Sequence, residues 1–110
     1  MPDLVSVVIP ARNEQYLQAT VDNLIATAAG PVEVIPVVDG PSTWPELRPH
    51  PQVKPVRHSE AQGMRPAIDA GAVAAGGRYL MKCDAHCIFA PGWDAALKDA
   101  CGPLDLVVPT

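Results

Sequence analysis

Between residues 4 and 38 the chain carries two short, nearly continuous apolar runs, 4–9 and 32–38, separated by a segment whose apolar side chains recur at helical spacing. A β-branched run that polar residues scarcely interrupt belongs in a strand covered on both faces, which is the mark of a parallel sheet. Leu4, Val5, Ser6, Val7, Val8 and Ile9 form the first such strand, closed by Pro10. Tyr16, Leu17, Ala19, Thr20, Val21, Leu24, Ile25 and Ala28 then mark a helix, and Gly30-Pro31 stops it. The second strand ends in the turn cluster Asp39-Gly40-Pro41, so the opening of the chain predicts a β-α-β unit with a right-handed crossover.

Proline punctuates the next segment. Pro41, Pro45, Pro49, Pro51 and Pro55 fall in residues 41–55, which reads as a loop, and elsewhere prolines are expected at the ends of periodic segments. Residues 53–56 form a short third strand that Pro55 confines to an edge. A small-residue helix is predicted from Pro66 to Ala75, with side chains small enough to let it lie close to a neighbour. A strand over residues 78–83, a helix from Pro91 to Leu97 and a strand over 104–108 complete the order. The expected architecture is a single domain over residues 1–110, an open and mostly parallel Rossmann-like α/β sheet with flanking helices. Ligands of such sheets sit beyond the carboxyl ends of the strands, which brings residues 10–14, 39–42 and 84–87 to one edge.

Composition narrows the partners. No apolar run is long enough to cross a bilayer, and the first residues lack the pattern of a secretory signal, so a cytoplasmic setting is expected. A formal net charge of -4 argues against nucleic acid as the main partner. Cys83, Cys87 and Cys101 match no disulfide framework and are expected reduced. No glycine-rich phosphate loop follows the first strand, and no serine nucleophile elbow occurs, which disfavours dinucleotide oxidoreductases, P-loop enzymes and serine hydrolases.

Asp84 and His86, one residue apart after a strand, project to the same side of an extended segment and reach one ion. A carboxylate with an imidazole suits Mn²⁺, whereas Mg²⁺ prefers oxygen alone. A turn-forming Asp84 with a solvated or capping His86 is the alternative that this spacing leaves open. Asp39, at the end of a buried strand, either meets a ligand or accepts within an Asx-turn into Gly40-Pro41. Asn13 and Glu14 line the same edge or cap the first helix. Zinc on Cys83, His86 and Cys87 ranks lower, because no second Cys or His pair follows.

Together, residues 5–14 (VSVVIPARNE), 37–40 (VVDG), the stretch from Gly63 to Gly71, and Asp84-Ala85-His86-Cys87 with Pro91-Gly92-Trp93 resemble the family 2 type of GT-A glycosyltransferases. The last block is similar to that of the polypeptide N-acetylgalactosaminyltransferase group and its bacterial and phage relatives, in which an Asp-x-His-Cys turn replaces the usual Asp-x-Asp. The resemblance implies a donor-binding segment that holds a nucleotide-sugar, a UDP-sugar, for hexosyl or N-acetylhexosaminyl transfer to an unknown acceptor. It implies that Pro10, Ala11 and Glu14 lie against the nucleoside, that Asp39 accepts from the uracil ring N–H, and that Arg65 supports the donor. Asp84 and His86 are implied to engage a divalent metal, Mn²⁺ with Mg²⁺ as alternative, together with the diphosphate and ribose.

The chain also departs from the pattern. Gly40 stands where a second acidic residue is common, and Ile68 and Asp69 replace the usual Arg or Asn of the helix after Gly63. A complete GT-A domain adds an acceptor-binding half, so the chain is expected to be truncated, with base and acceptor residues beyond Thr110. A catalytically incomplete nucleotide-binding module or remnant is the alternative reading. Trp44 is expected as a surface anchor in the proline loop, and Trp93 as the anchor of the last helix to the sheet.

Overall fold

Nothing in the first strand needs water, and the structure places it accordingly. In the computed structural model, which describes residues 4–41, 47–85, 88–100 and 106–107, Val5, Val7, Val8 and Ile9 are at most 1% exposed. The elements are β1 (Val5–Ala11), α1 (Leu17–Thr27), β2 (Val32–Asp39), β3 (Val56–His58), α2 (Met64–Ala74), β4 (Tyr79–Lys82), α3 (Trp93–Ala100) and β5 (Leu106–Val107). This is the expected order, and the strands form one five-stranded sheet, β3-β2-β1-β4-β5, with every pairing parallel.

Alternation along β1 divides the core. Val5, Val7, Ile9 and Ala11 meet Leu17, Val21 and Leu24 of α1 and Trp93 and Leu97 of α3, while Val8 joins Ile35, Val37 and Ala67 on the α2 face. Each fully buried aliphatic side chain contributes roughly 1.5–3 kcal/mol. Helix α2 comes close because Gly71 faces the sheet: a Cβ there would lie 2.4 Å from Val8 Cγ1 and 3.2 Å from Val37 Cγ2. The small-residue helix thus lies against its neighbour as its composition predicts.

Two prolines depart from expectation by sitting inside strands. Pro10 is the sixth residue of β1 and Pro36 the fifth of β2. Val8 accepts from the Cys83 N–H, so even-numbered β1 residues face β4, and Pro10 falls beyond Lys82, the last residue of that strand. On β2, Val34 accepts from the Lys54 N–H and Gly40 donates to His58, so even positions face the β3 edge. Pro36 there falls in the gap between the isolated Val34–Val53 bridge and the start of β3. Both prolines therefore sit where the ladder is already interrupted, Pro10 past the last pair with β4 and Pro36 before the first pair with β3.

Other boundaries shift for local reasons. The expected third strand is split: Val53 makes one bridge, Pro55 interrupts, and β3 starts at Val56 on the sheet edge. Helix α2 starts at Met64, which leaves Pro66 at its third position, still among the first N–H groups that need no helical partner. Helix α1 starts after Tyr16, which is exposed, and has no side-chain cap, so Asn13 and Glu14 do not cap it. Gly71→Ala is expected to destabilise the fold by about 1–3 kcal/mol through overpacking. Gly76→Ala, whose Cβ has 3.7 Å of clearance, should change stability by less than about 0.5 kcal/mol. Urea unfolding of the two variants measures the difference.

Candidate functional site

Parallel strands deliver all their C-terminal ends to one edge of the sheet. The chain turns one way from β1 to β2 and the other way to β4, so a crevice opens beyond β1, the switch point of this topology. Ala11, Asp39 and Lys82 end the three central strands there.

Asp39 organises the β2 side. Its side chain is buried, and it does not form the local Asx-turn that sequence left open. Oδ1 accepts from the Gln62 N–H at 2.8 Å and meets His58 Nδ1 at 3.1 Å, while Oδ2 accepts from the Gly63 N–H at 2.8 Å. His58 is paired in register with Asp39 across β2 and β3. Gly63, the residue before α2, has φ +101, a conformation that side chains rarely adopt, and this presents both amides to one carboxylate at a helix N-terminus. The Gln62 N–H, opposed by burial and joined by Gly63 and His58, holds the Asp39 carboxyl below its ordinary value of 3.8.

Two clefts meet at this corner. A small one of about 250 Å³ is lined by Pro10, Ala11, Glu14, Asp39, Gly63 and Met64. A larger one of about 820 Å³ shares Ala11 and Glu14 and extends past Leu47, Arg48, Arg57 and His58. Pro10, Ala11, Glu14 and Asp39 are thus brought together as the sequence predicts. Arg65 is exposed on the first turn of α2 and is not among the residues lining either cleft.

The Asp84 turn is set by α1. Thr20 donates to the Ala85 carbonyl at 2.7 Å, Asn23 accepts from the Phe89 N–H at 2.6 Å, Leu24 accepts from Trp93 Nε1 at 3.2 Å and Thr27 accepts from the Gly92 N–H at 2.8 Å. These contacts descend one face of the helix at three- and four-residue steps. Trp93 therefore anchors α3 to α1 as well as packing in the sheet's core, and its ring lies 5.5 Å from that of Phe89. Asp84 is half exposed, and Lys82 Nζ lies 2.9 Å from its Oδ1. His86, the other expected metal ligand, and Cys87, Trp44, Ser42 and Cys101 lie outside the described residues. Among the described residues no three His, Cys, Asp or Glu side chains cluster to hold an ion, and Cys83 is buried.

Two further buried carboxylates were not singled out by sequence. Glu33 takes Ser6 Oγ at 2.5 Å, Lys54 Nζ at 2.6 Å and the Gly76 N–H at 2.6 Å. Asp94 takes the Ala29 N–H at 2.7 Å and the Gly30 N–H at 2.8 Å. Burial pushes both carboxyls up, and these hydrogen bonds outweigh it, so both titrate below their ordinary values. Neither has a spacing signal, because each partner is a backbone amide or a side chain distant in sequence.

The model of one protein family, Glycosyl transferase family 2, matches residues 6–108. No curated protein and no solved structure matches the chain significantly. No helix among the described residues is long and apolar enough to cross a membrane.

Three carboxyls lowered on folding have a direct consequence for acid stability. Each binds a proton more readily in the unfolded chain, so its stabilisation is complete above the ordinary carboxylate range and is lost as pH falls through the lower folded values. Urea midpoints should therefore stay level near neutral pH and decline below about pH 4. Asp94→Asn should cost about 1–3 kcal/mol at neutral pH and flatten that acid decline.

Proposed function

The chain belongs to glycosyl transferase family 2, and we propose that its crevice holds the nucleotide of a UDP-sugar whose glycosyl group is transferred. The observation that carries this reading is the convergence of Pro10, Ala11, Glu14 and Asp39 on one small cleft beside the β1 switch point. Its volume, about 250 Å³, suits a nucleobase with part of its ribose rather than a whole donor. A carboxylate offers about four acceptor positions, and Gln62, Gly63 and His58 take three of Asp39's. The fourth, on Oδ2, is the acceptor for a ring N–H such as that of uracil.

The diphosphate then extends across the end of β1 towards Asp84. The donor set fits a divalent metal in chemistry: Asp84 offers carboxylate oxygen at an exposed edge, and His86 follows it by two positions in sequence. Asp84 and His86 would hold the ion, Mn²⁺ ahead of Mg²⁺, which when bound supplies Lewis-acid stabilisation of the departing diphosphate. Lys82, whose ammonium lies beside Asp84 Oδ1, adds positive charge on the same side. This turn resembles the Asp-x-His-Cys turn of the polypeptide N-acetylgalactosaminyltransferase group, with an N-acetylhexosaminyl or hexosyl donor.

Calorimetry with UDP, with and without Mn²⁺, tests the reading. Asp84→Ala and His86→Ala should each abolish or reduce by about 10–100-fold the gain that Mn²⁺ gives, and Asp39→Asn should weaken UDP even without metal. A folded wild-type chain that binds no UDP under either condition would refute it.

A further inference from the structure

We infer that His58 is a positioning residue: it sets the orientation in which Asp39 meets the donor nucleobase. This rests on the nucleotide reading of the crevice and adds to it a residue that lies outside the cleft holding the base.

The two residues are register partners at the ends of adjacent strands, so their side chains leave the sheet on one face. Their side chains are 5% and 14% exposed, which keeps the bond between them away from competing water. The backbone of His58 is fixed as well, since its carbonyl accepts from the Gly40 N–H at 3.0 Å. Because Asp39 is ionised and can only accept, Nδ1 of His58 is the donor, and that fixes the plane of the ring.

The geometry of the other bonds shows why a third donor matters. Gln62 and Gly63 are adjacent, and their amides take one oxygen each. Such a fork leaves a carboxylate able to rock about the line joining its two oxygens. A bond from β3, on a separate element, stops that motion and fixes the direction of the remaining Oδ2 lone pair. His58 itself lines the larger cleft, while Asp39 lines the smaller one, so the pair forms the wall between them.

Binding of UDP and of inorganic pyrophosphate, each with Mn²⁺, to the full chain separates this role from simple support of the fold. Pyrophosphate has no base to meet Asp39. His58→Ala is expected to weaken UDP by about tenfold, because Asp39 is no longer held in the orientation that meets the base, and to leave pyrophosphate unchanged. His58→Asn, which keeps an N–H near the place of Nδ1, should restore UDP binding to within about threefold of wild type. Equal weakening of both ligands, wild-type UDP affinity in His58→Ala, or no recovery in His58→Asn would overturn the inference while leaving the donor site intact. A wild-type chain that binds pyrophosphate and ignores UDP would overturn the nucleobase reading itself, and this inference with it.

Discussion

A carboxylate buried at the end of a central strand must find donors, and in this chain the search for donors builds the crevice. Asp39 has too little water around it to remain charged alone, and Gln62, Gly63 and His58 supply what water does not. Meeting that demand pulls the loop before α2 over the sheet edge, fixes the start of the helix and ties the short edge strand β3 to β2. Three donors leave one of the carboxylate's acceptor positions over, and Asp39 lines the small cleft. The feature that closes the loop is thereby also one that lines the small cleft.

The opposite edge of the sheet uses the same device. Glu33 holds Gly76, Ser6 and Lys54, and Asp94 holds Ala29 and Gly30, so two more connections are fastened by charged acceptors buried in the fold. Between the two edges, close packing does the rest. Gly71 lets α2 touch Val8 and Val37, and the run of contacts from Thr20 to Thr27 holds the Asp84 turn against α1. Site and scaffold are therefore linked at both ends: the Asp39 corner through α2, the Asp84 turn through α1.

The order of elements was legible because it depends on local signals. Unbroken β-branched runs, a helical period and Gly-Pro stops are enough to place eight elements and a parallel sheet. Pro10 and Pro36 misled, since a proline's cost depends on whether a neighbouring carbonyl faces it, and that is a property of register between strands. The convergence of Pro10, Ala11, Glu14 and Asp39 followed from topology alone, as every parallel strand ends at one edge. His58, Glu33 and Asp94 stayed hidden because their partners lie 19 to 65 residues away, and half of them are backbone amides, which carry no residue type to recognise. Arg65 is exposed on the first turn of α2 and lines neither cleft, a placement that depends on where the helix begins.

The central claim is that a nucleotide occupies the corner built around Asp39. Amide chemical shifts followed by NMR while UDP is titrated into the chain test it most directly. The account predicts that Ala11, Gln62, Gly63 and Met64 shift together and saturate at one concentration, while Ala29, Gly30, Gly76 and Gly77 at the far edge stay in place. Shifts confined to that far edge, or no saturable shift at Gln62 and Gly63, would contradict it.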